Sequence, residues 1–396
     1  MGNMNHLTSL LKSFIEKGPA GCSCTVVRDG ETVYEEGFGL ADLELNKPIT
    51  PDTIYRIYSL SKIITCTAAL ILYERGLFLL NDPLEEYLPE FKDPHIYKRN
   101  TNGEWTMVPA ASSIRIKHLF SMTSGLTYGL LPGIKIKDDF LETARETGKI
   151  LEDLNRRAAE GDKVSMRDFS KALAGVPLAF EPGAHRQYGL SHDVLGVLIE
   201  VLTGKTLGRF LQDEIFDPLG MKDTFFRIPD DKRDRLCSLY NRSDDGTMTK
   251  ITRMDAGYQP EAVLEMGGQG LLSTLGDYSR FAQMLACGGE LDGVRVLSAN
   301  TIQLMATNHL GPAQMADFNI PQLAGYGYGL GVRVMIDPAA GGSNSSVGEF
   351  GWSGAAGNYV LIDPKLKLSA VYMQQMFPNF EAYHHPRLRS VIYGAL

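Results

Sequence analysis

Strand-forming sequence lies at the two ends of this 396-residue chain, and helix-forming sequence fills the middle. Near the N-terminus, Cys22 to Arg28 is strand-like, Asp29-Gly30 is a hairpin signal, and Glu31 to Gly37 returns. Near the C-terminus, Gly329 to Ile336, Asn358 to Ile362 and Leu366 to Met373 read as strands, with Asp363-Pro364-Lys365 joining the last two. This pattern predicts an α/β (α+β) fold: one antiparallel sheet built from both chain termini, flanked by helices, with an inserted, mostly helical subdomain. The expected division is 1-80 with 265-396 for the sheet domain and 81-264 for the helical subdomain, together forming one unit.

The helices follow from apolar spacing and caps. Residues 6 to 17 place Leu7, Leu10, Leu11 and Phe14 on one side. After the loop Asn46 to Thr53 and Tyr58, the chain turns apolar and helix-favouring until Gly76, a residue suited to a helix C′ position. The charge-rich stretch 91 to 172 reads as helical, with helices over Asp139 to Lys149 and Ile150 to Ala159. Leu190 to Thr203 is amphipathic. Thr274 followed by Asp277 resembles a cap for a helix running to Cys287. A last helix is expected over 387 to 395, with His384 and His385 on the surface just before it.

Several function classes are excluded by what is missing. Net charge is −8 and no basic block stands out, so nucleic acid is not an expected partner. The longest apolar run, Ile63 to Leu72, is too short to span a membrane. No basic n-region with a following apolar h-region opens the chain. Five cysteines (Cys22, Cys24, Cys66, Cys237, Cys287) make an odd number without a zinc-like pair, which fits a reduced compartment and a cytoplasmic protein. Cys22 and Cys24, two apart in a strand, are expected to share a buried face. Histidine spacing offers no metal site. No phosphate loop or G-x-G-x-x-G turn appears, so no cofactor is expected.

Ser59-Leu60-Ser61-Lys62 carries the chemistry. Residues three apart share a helix face, so the Lys62 ammonium reaches the Ser59 hydroxyl. A helix N-terminus offers free N–H groups and a positive field to an oxyanion. Burial and a neighbour are expected to lower the Lys62 pKa until it acts as a base. A second S-x-x-K, Ser9 to Lys12, lies in a short amphipathic segment and reads as a solvated helix face. Tyr188 follows the turn Pro182-Gly183 and precedes a helix, where a phenol can relay a proton. Gly351-Trp352-Ser353-Gly354-Ala355 is small enough to let a strand edge approach a substrate. Ser191, His192 and Asp193 are triad residue types, but as neighbours on a helix they point apart.

Taken together, Ser59 to Lys62, the segment from Tyr188 and Trp352-Ser353-Gly354 resemble, in that order, the motifs of the serine β-lactamase and penicillin-recognising superfamily. Met122 to Leu126 and Gly270 to Phe281 also resemble its segments. Within it the chain is most similar to the family VIII carboxylesterases, which have a class C β-lactamase fold. The resemblance implies catalytic roles for Ser59, Lys62 and Tyr188, and an oxyanion hole from the Ser59 and Ala355 amides. It implies substrate contacts from Trp352, Ser353, Gly354 and Tyr128, and a supporting role for Asp193. Leu190 stands where lactamases carry asparagine, and Trp352 where they carry Lys or His. A cation at 352 would pair with a substrate carboxylate. Trp352 offers an apolar wall instead, better suited to a neutral ester. The implied activity is an acyl-enzyme serine hydrolase acting on small or short-chain esters. Alternatives are a β-lactamase, D-aminopeptidase, amidase or DD-peptidase, or an acyltransferase using the same serine.

Overall fold

The structure is a computed structural model describing residues 4–131, 133–259, 262 and 264–396. One eight-stranded antiparallel sheet draws on both ends of the chain. Its order is Tyr326–Tyr328, Arg333–Met335, Phe350–Ser353, Tyr359–Asp363, Leu368–Gln374, Gly21–Arg28, Glu31–Asp42 and Lys47–Pro48. The N-terminal Gly21–Arg28 strand pairs antiparallel with the C-terminal Leu368–Gln374 strand, Cys22 opposite Gln374 and Arg28 opposite Leu368. That pairing buries both strands and joins the termini, as the strand distribution predicts.

Each sheet face has its own core. Leu7, Leu11 and Phe14 of the Asn5–Lys17 helix and Leu388 and Ile392 of the last helix cover one face. They pack on Cys22, Cys24, Val26, Leu361 and Tyr372, so the two cysteines do share a buried face. The five cysteines are unpaired. The larger core lies on the other face, around helices Ser61–Glu74, Ser191–Thr203 and Leu275–Ala286. Every residue of Ser61–Glu74 from Ser61 to Leu72 is buried. Gly76 has φ +72°, as a C′ residue should. Thr274 Oγ1 accepts from the Asp277 amide at 3.2 Å, making the expected cap.

The structure corrects the sequence reading in several places. Within 91–172, His95–Arg99 and Trp105–Pro109 form a hairpin. It lies mostly exposed and joins the body where Ile96 meets Leu178, so no clean alternation marks it. A second hairpin, Leu239–Arg242 with Met248–Ile251, was also not expected. The two helices expected over 139–159 are one helix, Leu141–Ala159, entered through a 3₁₀ turn. Gly329 to Ile336 is a turn and a strand rather than one strand, because the chain reverses around Gly331 at φ +87°. The last helix starts at Glu381, so Pro386 sits inside it and the histidine pair faces the core. His384 stacks on Phe14 at 3.9 Å. His385 stacks on Tyr359 at 4.4 Å and donates Nε2–H to the Gly357 carbonyl at 3.1 Å. Both are buried, and burial lowers their pKa values to about 4 and about 3.

Candidate active site

Ser59 occupies a 3₁₀ turn, Tyr58–Leu60, that runs directly into the Ser61–Glu74 helix. Tyr58 has φ +44°, a left-handed conformation that costs a non-glycine residue roughly 1–2 kcal/mol. This sharp entry places Ser59 at the mouth of the helix, partly exposed, with Lys62 one turn deeper and fully buried. Lys62 Nζ donates to Ser59 Oγ at 3.3 Å, to the Tyr128 hydroxyl at 2.9 Å and to the Gly268 carbonyl at 2.6 Å. An ammonium has three protons, and each has an acceptor.

This arrangement overturns the expected low lysine pKa. Burial does work against the charge, but Tyr128, Tyr188 and Asp193 outweigh it and hold Lys62 above the ordinary lysine value. The resting lysine is therefore an ammonium aimed at Ser59. Burial pushes the Tyr128 phenol up despite the neighbouring ammonium, so Tyr128 receives Lys62's proton as a neutral acceptor.

One glycine contact and one backbone hydrogen bond bring the tyrosines together. A Cβ on Gly189 would lie 2.1 Å from the Leu126 carbonyl oxygen, so only glycine lets segment 187–189 run against 122–128. The Gln187 amide donates to the Met122 carbonyl at 3.0 Å in the same contact. The rings of Tyr128 and Tyr188 then stand 5.7 Å apart, with Lys62 Nζ 4.7 Å from the Tyr188 ring centre. Lys62 meets the Tyr188 ring, not its oxygen. That oxygen accepts from Trp352 Nε1 at 3.0 Å, and among the described residues it bonds neither Ser59 nor Lys62.

The strand edge reaches the helix mouth from the other side. A Cβ on Gly354 would lie 2.5 Å from the Ile57 carbonyl oxygen, so glycine sets this approach. Asn358 Nδ2 and Gln375 Nε2 both donate to the Arg56 carbonyl, at 2.8 and 3.0 Å, tying the strands to the segment before Ser59. The Gly354 amide is used internally, donating to the Asn358 carbonyl at 2.8 Å. Among the described residues, the Ser59 and Ala355 amides donate to no protein acceptor. Trp352 packs against Tyr188 at 5.6 Å and edge-on to Tyr328 at 5.2 Å. Ser353 Oγ donates to Glu381 Oε2 at 3.2 Å, and Asn379 Nδ2 donates to the Ala355 carbonyl at 3.0 Å.

Tyr128 is thus placed behind Lys62 rather than along an open wall. Asp193 lies in the same buried layer: Oδ1 accepts from the Gly268 amide at 2.9 Å, while among the described residues Oδ2 has no hydrogen-bond partner. Burial raises its pKa to about 6, against the pull of Lys62 and the Gly268 amide. Gly268 therefore joins Lys62 to Asp193 through its carbonyl and its amide. Spacing in the sequence could not reveal this main-chain role; the glycine run 267–270 was its only sign. The neighbours of Asp193 diverge as expected: Ser191 Oγ meets Ser124 Oγ at 2.8 Å, and His192 Nε2 donates to the Phe120 carbonyl at 3.0 Å. Glu381 and Asn379 were not singled out from sequence, because they reach the strand edge only through the fold. Among the described residues no group of three or more His, Cys, Asp or Glu side chains could hold a metal ion.

A family model described as Beta-lactamase matches residues 8–392. Esterase EstB of Burkholderia gladioli is 29% identical over 380 residues, covering 90% of this chain and 86% of that protein. Monacolin J acid methylbutanoyltransferase of Aspergillus terreus is 27% identical over 352 residues, covering 84% and 79%. Among solved structures, EstCE1, described as a hydrolase with promiscuous acyltransferase activity, superposes with a TM-score of 0.79. It is 23% identical, with 98% of each chain covered.

Proposed function

From the premise that this chain belongs to the beta-lactamase family, we propose that it is a carboxylesterase that forms an acyl-enzyme on Ser59 and takes small or short-chain esters. The observation that carries this reading is the meeting of three distant segments around Lys62 and the backbone that leads into Ser59. Lys62 holds Ser59 Oγ, Tyr188 lies over Lys62, and Gly354 brings the Ala355 edge against the backbone at Ile57. The esterase EstB, similar along most of its length, supports the substrate class.

The geometry divides the labour. Lys62 keeps its protons and offers its charge to the developing Ser59 alkoxide. The reactive form carries the Tyr188 oxygen as a phenolate, its charge offset by the Lys62 ammonium and the Trp352 Nε1–H donor, and this oxygen takes the Ser59 proton and becomes neutral. Ser59 attacks the ester carbonyl, and the oxyanion takes the free Ser59 and Ala355 amides. Tyr188 returns the proton to the leaving alcohol, and water then releases the acyl group by the same route in reverse. Trp352 leaves no cation at that position for a lactam carboxylate, which favours neutral esters over β-lactams. The cysteines, all unpaired, support a reducing compartment such as the cytoplasm. No helix among the described residues is long and apolar enough to cross a membrane.

Ser59→Ala is the test. Turnover of p-nitrophenyl butyrate should fall by about 10³-fold or more with the fold intact by circular dichroism. Near wild-type hydrolysis by that variant would remove the proposal. A second reading, acyl transfer to an alcohol, has support from the similarity to the methylbutanoyltransferase. Product analysis with an added alcohol acceptor separates it: ester product marks transfer, and free acid marks hydrolysis.

A further inference from the structure

Beside the strand edge stands a carboxylate held by neutral hydrogen-bond donors. Glu381 begins the last helix and is partly buried. Its Oε2 accepts from Ser353 Oγ at 3.2 Å and from Asn379 Nδ2 at 3.5 Å; its Oε1 accepts from Gln322 Nε2 at 2.8 Å. These donors are neutral, and among the described residues Glu381 forms no ion pair. The cations near it bond elsewhere, although Arg333 acts on Glu381 through space and opposes the rise that burial causes. Arg333 is held by Glu349 at 3.1 Å and by the Val360 carbonyl at 2.9 Å. Arg242 lies over the Phe380 ring at 5.9 Å. Asn379 links the same carboxylate to the carbonyl of Ala355, one residue past the glycine that meets the helix mouth.

We propose that Glu381 sets the charge selectivity of the site, excluding esters that carry a carboxylate and favouring neutral or cationic ones. The inference rests on the hydrolase reading above, since Ser353 to Ala355 must be the edge a substrate lies along. A charge one hydrogen bond from that edge, partly shielded from water, acts on a bound charge through a medium of lower dielectric than bulk solvent. It repels an anion there and attracts a cation. Trp352 removes the attraction for a carboxylate that a cation at that position would supply, and Glu381 adds repulsion beside it. The favoured substrates are esters of uncharged or amine-bearing alcohols.

The test compares three esters at pH about 8, chosen well above the ordinary glutamate range because burial raises the Glu381 pKa. The esters are neutral p-nitrophenyl butyrate, anionic mono-p-nitrophenyl glutarate and cationic butyrylthiocholine. The wild-type rate on the butyrate ester tests the hydrolase reading by itself. The ratios among the three test Glu381. In Glu381→Gln, kcat/KM for the glutarate ester should rise about tenfold relative to the butyrate, equivalent to about 1.4 kcal/mol. The thiocholine ester should fall relative to the butyrate by a similar factor. Raising salt from about 0.05 M to about 0.5 M should compress the same ratios in the wild-type protein, a measurement that needs no variant. An active wild-type enzyme whose ratios stay within twofold under both changes would overturn the proposal while leaving the hydrolase intact. No butyrate hydrolysis at all would instead remove the reading beneath it.

Discussion

On the helix side of the site, Lys62 has an acceptor for each of its three protons, and one of them, Gly268, is fixed in turn by Asp193. On the strand side, among the described residues, the Ala355 amide donates to no acceptor and the hydrogen-bond donors to Glu381 are neutral. Saturated, buried groups hold one geometry, because moving any of them strands a polar atom away from water. Open, half-exposed groups wait for something to complete them. The contrast assigns proton handling to the helix side and substrate choice to the strand side, and each variant below strikes at one of them.

The largest effects should come from the helix side. Lys62→Met should lower kcat for p-nitrophenyl butyrate by about 10³-fold, and Tyr188→Phe by about 10² to 10³-fold. Because Lys62 packs on the Tyr188 ring and both are assigned to the same proton removal from Ser59, the double variant should fall no further than the worse single. Multiplying losses would mean that the two residues act independently and would break the assignment of one linked unit. Next is Gly354→Ala on the strand side. Its new Cβ would lie 2.5 Å from the Ile57 carbonyl oxygen, so the edge must move away from the helix mouth. Such overpacking costs about 1–3 kcal/mol, and a shift of the oxyanion amide by about 1 Å costs about 10²-fold in turnover. Wild-type kinetics in that variant, read with urea unfolding, would show that the edge does not serve Ser59.

The same contrast explains what could be read in the sequence. Ser59 and Lys62 are legible because a helix fixes the relation of residues three apart, and Gly76 and Thr274 because caps are local. The pairing of Asp363-Pro364-Lys365 strands is legible for the same reason. What escaped is whatever depends on distant chain: Gly268 acts through its main chain, and Glu381 reaches Ser353 only because the last helix folds back onto the strand. The lysine pKa went the wrong way because burial, which spacing can suggest, is only one cause. The aromatic and acidic neighbours that reverse it come from segments around 128, 188 and 193. The hairpin at 95–109 escaped because it is mostly exposed and meets the core through scattered residues such as Ile96 and Val108 rather than through an apolar face of its own.

The smallest effect on turnover should come from Asp193, one step behind Lys62, and its clearest signature is in stability. Burial raises the Asp193 pKa to about 6 in the folded protein, while the unfolded chain titrates near 3.8. The folded state therefore favours the protonated acid. The stabilisation from that proton is complete below the unfolded value and is lost as pH rises through about 6. The difference between about 6 and 3.8 corresponds to roughly 3 kcal/mol lost between pH about 4 and pH about 8. Asp193→Asn keeps an oxygen for the Gly268 amide and removes the titration, so wild-type stability should fall relative to this variant across that window in urea unfolding. A difference that stays flat with pH would show that Asp193 is not confined in the dry layer behind Lys62. The helix side would then be less closed than the strand side by this measure, which is the reverse of the contrast drawn between them.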